Sequence, residues 1–372
     1  MLLHNLPIYV IIFYNNTRRC IYSRHLKKRR KMPFWAKLLL IVLAVFAVVI
    51  IAAVIFINSK LDLVKYDTPD TTFTPISSTE SKEADEEEGD IVDISGLEER
   101  APSELPAGEI RKEKDIFNIL LLGTDERTYD FSDAARSDAI MILSLNLKDS
   151  TAKLVSLERG MGVPILEGEY KGQYDWLTHC FRYGGADLMV KEVQTCFNLD
   201  VERYMRVNFT ALKDIVDVLG GVDITLTGAE YPHIKGTATP LGDSVFHLDG
   251  TAALSYCRLR SIDSDWSRIK RQRTVIQACA DGVKNADVAT LNNLIDTILP
   301  MIRTNLTKLE LVKLMSYAPN FLGVEFDQMT IHVPDSYGGM LGMEGRSLFA
   351  VDFETNSQIL HDFLYENIKY EG

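Results

Sequence analysis

The chain has 372 residues, with 40 Lys/Arg against 52 Asp/Glu, a formal net charge of -12 and a hydrophobic fraction of 46%. These totals exclude a wholly disordered chain, a small disulfide-stapled scaffold and a basic nucleic-acid binder.

The charge is unevenly distributed. Residues 1–37 carry nine Lys/Arg and no acid, and Leu38–Ile57 follow as 20 uninterrupted apolar residues. At about 1.5 Å per residue that run spans the roughly 30 Å of a hydrocarbon core. It predicts one transmembrane helix over 38–57. Lys and Arg beside a first membrane helix stay inside, so 1–37 is read as a basic cytoplasmic end and the C-terminal part as extracellular. The expected location is the cell membrane, single-pass. The run exceeds the roughly 7–15 apolar residues of a signal-peptide core, and no small-x-small pattern follows Ile57, which favours an uncleaved anchor over a cleaved signal. Lys27–Lys31 directly precede Met32, as a translated ribosome-binding site would, so Met32 is the expected native start. The competing reading is a genuine basic tail lying on anionic lipid.

Residues 61–115 hold 17 Asp/Glu and six Lys/Arg, including the run Glu83–Glu88 with one Ala. Such a composition buries too little apolar surface to fold, so 58–115 is expected to be a disordered, self-repelling acidic linker.

From 116 to 372 short apolar runs with strand character alternate with amphipathic helical stretches. Strands are expected at Phe117–Leu122, Ala139–Leu145, Ala152–Leu157, Tyr204–Val207, Val222–Leu226, Leu254–Leu259 and Met329–Val333. Helices are expected at Ala186–Phe197, Phe209–Leu219, Ser267–Lys284, Val288–Met301, Lys308–Tyr317 and Glu354–Glu366. The alternation predicts an α/β sandwich, a mixed central β-sheet flanked by helices. Cys180, Cys196, Cys257 and Cys279 show no zinc spacing; small buried hydrophobes, one disulfide among them, or a thiol beside His179 are the readings open.

Two constellations carry chemistry. In the first, Gly123 after an apolar strand is expected to allow a tight turn that sets Asp125 at the strand's C-terminal edge, where α/β sheets bind ligands. Arg136 and Asp138 then open the next strand. Two carboxylates on adjacent strands suit Mg²⁺, and Arg127 and Arg136 suit phosphate; an Asp–Arg network around a turn is the plainer alternative. No GxGxxG follows the strand, which counts against a dinucleotide. In the second, Arg258 and Arg260 would share one strand face, while Arg268, Arg271 and Gln272 lie at i, i+3 and i+4 on the following helix, with Ser267 as its cap. Arginine recognises phosphate bidentately, and residues 116–372 carry 24 Lys/Arg against 35 Asp/Glu, so a converging arginine cluster points to a di- or polyphosphate. Arg159 ends a third strand at the same rim. His179 is either a general base or a structural residue before a Gly-Gly turn.

With these residues assembled, the chain resembles the LytR-CpsA-Psr family. Asn118–Arg127, Arg136-Ser137-Asp138, Tyr183-Gly184-Gly185, Val207-Asn208-Phe209, Leu219–Asp223 and Leu254–Gln272 occur in that family's order and approximate spacing. The resemblance implies a Mg²⁺-assisted transferase of bacterial cell-wall assembly. It would move an anionic glycopolymer, teichoic acid or capsular polysaccharide, from undecaprenyl pyrophosphate to peptidoglycan, with the lipid tail between sheet and helices. Carried over by position, Asp125 and Asp138 would hold the metal. Arg136, Arg159, Arg258, Arg260, Arg268, Arg271 and Gln272 would surround the pyrophosphate, and Asp125, Asp138 and Arg159 would be catalytic. Two departures stand out: Arg159-Gly160 replaces the usual Arg-Asp, and Trp176 takes the place of a Lys. They are expected to loosen Arg159 or remove a phosphate contact. Alternatives are a polyprenyl pyrophosphate phosphatase, and a weakened lipid-binding or transcriptional attenuator-type membrane protein. No nucleic-acid contact is expected, because the folded part is acidic.

Overall fold

The computed structural model describes residues 48, 51–67, 92–126, 131, 135–260 and 262–370. The basic end with Met32 and Cys20, residues 38–47, the acidic run 83–88 and Arg127 lie outside them. Residues 51–61 are helical. Among the described residues no helix is long and apolar enough to cross a membrane. The chain divides into Met1–Ile55 and Phe56–Gly372, and the second unit carries every element that follows.

In chain order these are β1 (Lys65–Tyr66), β2 (Ile116–Thr124), β3 (Ser137–Asn146), β4 (Thr151–Leu157), β5 (Gly162–Pro164), β6 (Tyr174–Trp176), α1 (Leu177–Phe197), β7 (Arg203–Asn208) and α2 (Phe209–Val218). Then come β8 (Val222–Thr225), β9 (Ala238–Gly242), β10 (Val245–Leu248), α3 (Gly250–Cys257), α4 (Asp265–Asn285), α5 (Val288–Ile298), β11 (Arg303–Thr304) and α6 (Lys308–Tyr317). The last are β12 (Asp327–Ile331), β13 (Tyr337–Leu341), β14 (Ser347–Val351) and α7 (Phe353–Glu366). A seven-stranded sheet in the order β1-β11-β7-β2-β3-β4-β12 forms the centre. It is mixed, as expected: β2 pairs antiparallel with β3 and parallel with β7, and β4 pairs parallel with β12.

Alternation along the strands sorts the two faces. Leu120, Leu122, Ile140, Ile142, Val155 and Leu157 join Phe181, Met189 and Val193 of α1 and Leu360, Phe363 and Leu364 of α7 in the main core. A second core lies where α2, α3 and α4 meet β8 and β10, around Val216, Ile224, Leu248, Ala252, Tyr256 and Val275. Lys153 reaches the end of α7, donating to the carbonyls of Phe363 at 2.6 Å and Leu364 at 3.0 Å, where a helix presents unpaired acceptors and negative dipole.

Several expectations are corrected. Leu254–Leu259 is not a strand: Asp249 caps α3 by accepting from Ala252 N, and Ala252, Ala253, Tyr256 and Cys257 are buried at helical spacing. Arg258 is therefore the C-terminal cap, and Arg260 follows in the loop. Val222–Thr225 lies in a separate three-stranded sheet, β8-β10-β9. The linker is shorter than its composition implied. Its described parts are fastened to the domain: β1 pairs with β11, Glu99 bridges to Gly339, and Arg111 meets Glu366 at 2.6 Å. Gly123 makes no turn but lies inside β2, where a Cβ would come 2.9 Å from that of Ala139 across the strand pair. Gly185 does use glycine's backbone freedom, at φ 66° and ψ -159°, and kinks α1.

Candidate functional site

At the end of the sheet where β2 finishes and β3 starts, a cavity of about 630 Å³ is lined by Asp125, Arg136, Asp138, Phe209, Cys257, Arg258, Arg260, Arg268 and Gln272. Asp125 follows β2 directly, and its Oδ1 accepts from Arg136 N at 2.9 Å, tying the two strand ends together. The Arg136 Nε lies 3.4 Å from Asp125 and 3.9 Å from Asp138, between the two carboxylates. Asp138 also has Arg159 Nη1 at 3.3 Å and Arg260 Nη2 at 3.5 Å. From the helix side, Ser264 is the N-cap of α4, one turn earlier than Ser267, so that Asp265 in the first turn receives Arg268 at 2.8 Å.

The electrostatics divide the two acids. Burial pushes both upward, but Arg159, Arg268, Arg136 and Arg260 outweigh it at Asp138 and hold that carboxyl well below the usual range. At Asp125 burial, and then the Asp138 charge, outweigh the Arg136 N–H and the Arg182 charge and raise it to about 6. A carboxylate whose proton affinity is raised by burial and by a neighbouring carboxylate marks a place that a divalent cation relieves. Among the described residues no third His, Cys, Asp or Glu joins them as a metal cluster. The pair fits Mg²⁺, which commonly takes one or two carboxylates and completes its shell with water and phosphate oxygens.

The basic side is under-compensated. Burial and the neighbouring Arg159 depress Arg268 from its ordinary value. The buried Arg268 Nε and Gln272 Oε1 have no hydrogen-bond partner among the described residues. Arg258 is exposed and packs its guanidinium 5.1 Å from the Phe209 ring. Phe209 and Cys257 are lining residues the sequence reasoning did not single out; for Phe209 the Val207-Asn208-Phe209 motif was the available signal. Its position follows from Asn208, whose side chain caps α2 by accepting from Ala211 N at 2.9 Å.

Arg271 is elsewhere engaged. Its Nε meets Glu230 at 2.8 Å, its Nη1 donates to the Leu259 carbonyl at 2.8 Å, and its Nη2 binds Asp263. It braces the loop that carries Arg258 and Arg260. Arg159 is oriented in spite of Gly160: it lies 3.3 Å from Asp138 and 3.8 Å from Asp265. A Cβ at Gly160 would come 2.5 Å from Val92 Cγ2 and 3.1 Å from Glu158 Oε2, so the space of the usual Asp is filled. Trp176 is buried, stacks on His179 with ring centroids 4.8 Å apart and donates to the Ser347 carbonyl at 2.7 Å. His179 is itself fully buried, with Nδ1 3.1 Å from Asp175, which also receives Tyr183 and Arg346. That network is structural, and His179 is no base for this cavity. Cys180, Cys196, Cys257 and Cys279 are all free thiols. Burial pushes Cys180 well above its ordinary value, which removes it as a nucleophile.

A second, apolar cavity of about 340 Å³ lies on the opposite sheet face from the main core, among Leu143, Leu145 and Leu147, α4 residues Ala280 and Val283, and Leu314 and Tyr317 of α6.

The chain is 34% identical over 226 residues to the polyisoprenyl-teichoic acid–peptidoglycan teichoic acid transferase TagT of Bacillus subtilis (strain 168), covering 58% of this chain and 68% of TagT. It is 34% identical over 198 residues to the transferase TagU of Bacillus mycoides (strain KBAB4), covering 51% of this chain and 60% of TagU. The solved structure of TagT bound to LIIa-WTA superposes with a TM-score of 0.54 at 29% identity, covering 69% of this chain and 94% of that one. Residues 73–362 match the family model of the LytR_cpsA_psr family, and the chain belongs to that family.

Proposed function

We propose that this protein transfers an anionic glycopolymer, of the teichoic acid or capsular polysaccharide type, from an undecaprenyl pyrophosphate carrier to peptidoglycan in bacterial cell-wall assembly. The observation that carries this reading is the convergence of Arg258, Arg260, Arg268 and Gln272 on Asp125 and Asp138 in one cavity. The relatives named as teichoic acid transferases support the reaction class. The apolar cavity supports a lipid carrier, because it offers a hydrocarbon chain leucines of the same sheet that presents the charged site.

In this mechanism Arg258, Arg260 and Arg268 take the pyrophosphate oxygens, and their preorganised charge is worth most as negative charge builds on the transferring phosphoryl group. A peptidoglycan hydroxyl oxygen bonds to the sugar-side phosphorus. The bond from that phosphorus to the bridging oxygen breaks, and undecaprenyl phosphate leaves. Asp125, raised to about 6, accepts the hydroxyl proton near neutral pH, whereas Asp138 stays ionised and orients Arg136, Arg159 and Arg260. Asp125 and Asp138 would hold Mg²⁺, which when bound offsets phosphate charge. The protein would act as a single-pass cell-membrane protein, N-terminus cytoplasmic and folded domain extracellular.

The test is product analysis. Incubation with a polyprenyl pyrophosphate-linked glycopolymer and peptidoglycan should yield polymer covalently joined to the wall and free polyprenyl phosphate. Free polymer released at the same rate with peptidoglycan present would mark a hydrolase instead.

A further inference from the structure

Next to the charged cavity runs a groove of about 740 Å³, lined by His233, Lys235, Thr251, Leu254, Ser255, Arg258, Leu259 and Arg260. It shares Arg258 and Arg260 with the cavity that holds Asp125 and Asp138, so the two spaces adjoin at those side chains. Its floor is one face of α3, since Thr251, Leu254, Ser255 and Arg258 stand at i, i+3, i+4 and i+7. Its wall is the segment after residue 231, stapled to that face by Ser255: the hydroxyl accepts from Lys235 N at 2.9 Å and lies 3.5 Å from the His233 carbonyl.

The groove's charge has one sign. Its lining holds Lys235, Arg258 and Arg260 and no Asp or Glu, although residues 116–372 carry 35 acids against 24 Lys/Arg. Of its three cations Arg260 lies 3.5 Å from Asp138, while Lys235 and Arg258 form no ion pair among the described residues. Thr251 adds a hydroxyl of the kind that pairs with sugar hydroxyls.

We infer that this groove binds the first anionic units of the donor glycopolymer, phosphodiester or carboxylate groups borne on sugar or polyol, beyond the pyrophosphate. The inference rests on the transferase reading and adds to it a preference for a donor charged close to its lipid linkage. Arg258 and Arg260 would then face the pyrophosphate on one side and the polymer on the other, and Lys235 would contact the polymer alone.

Two donors of equal lipid length separate the cases, one with a neutral oligosaccharide and one extended by glycerol phosphate units. A third, extended by uronic acid units, distinguishes phosphate from carboxylate. In the full-length protein, Lys235→Glu should raise KM for the phosphate-extended donor roughly three- to tenfold, and more at low salt than at high, as expected for exposed charges. Lys235→Arg should restore it. KM for the neutral donor should not move, which also controls for folding. Equal KM changes for neutral and extended donors, or none for either, overturn the groove assignment while leaving the transferase reading standing. Failure of the wild-type protein to turn over any of the three donors overturns both.

Discussion

Two cavities on one sheet have opposite characters. At the start of β3, Asp138 sits among Arg136, Arg159 and Arg260. At its far end, Leu143, Leu145 and Leu147 line a space with almost nothing polar in it. Leu143 lies five residues from Asp138 and Leu147 nine, so at about 3.3 Å each the apolar space begins roughly 16 Å from the acid and ends roughly 30 Å from it. Between them Arg273 spans two strands, its Nη1 donating to Ser156 Oγ and Thr330 Oγ1 at 2.8 Å each. One strand thus supplies both an ionic head site and an apolar tail site. An amphiphile matches that division better than a free nucleotide or a soluble sugar.

Breaking the ionic end should have the largest effect. Asp138→Ala removes the acid on which three guanidiniums converge, and transfer should fall roughly a hundred- to a thousandfold. The same change leaves buried positive charge unpaired, with an expected loss of about 3 kcal/mol in denaturant-unfolding stability. Retained wild-type turnover would remove Asp138 from the site. At the apolar end, Ala280→Phe should fill part of the cavity and raise KM about tenfold for a long-chain carrier. A short, water-soluble donor should be unaffected, and equal effects on both would show that the tail does not lie there.

The smallest and most specific effect is a proton. Because burial and Asp138 raise Asp125 to about 6, it is protonated below that pH and ionised above it. Transfer should therefore decline in acid, with a midpoint below 6 once Mg²⁺ is bound, approaching about tenfold per unit well below that midpoint. Carboxyl NMR of the metal-free protein should place the midpoint near 6, and Asp138→Asn should lower it by removing the neighbouring charge. Mg²⁺ should lower it also; an unmoved midpoint would separate the metal from this carboxylate.

The sequence was most informative where local patterning and tertiary demand agree. Short continuous apolar runs at Phe117–Leu122 and Ala139–Leu145 marked the central strands, and the spacing of Arg268 and Gln272 put both on one helix face. It misled at Leu254–Leu259, where a short apolar run looked like a strand although Asp249 capped a helix. Arg271 was beyond reach for another reason: its partners Glu230 and Asp263 are distant from it or on an irregular loop, and only the fold brings them together. The linker's acidity likewise hid the few residues that matter, such as Val92, which fills the space beside Gly160.

Those fastenings bear on how the chain folds. Lys65–Tyr66 pair with Arg303–Thr304, Glu99 bridges to Gly339 and Arg111 meets Glu366, so segments synthesised early wait for partners synthesised last. Contacts of that sequence separation make folding slow, because loop closure precedes any reward. Until the last hundred residues emerge, the edge of the sheet at β7 and the surface around Gly160 stay uncovered. The incomplete chain is then most open to proteolysis and mispairing at its first third, although the finished domain buries Val92 there.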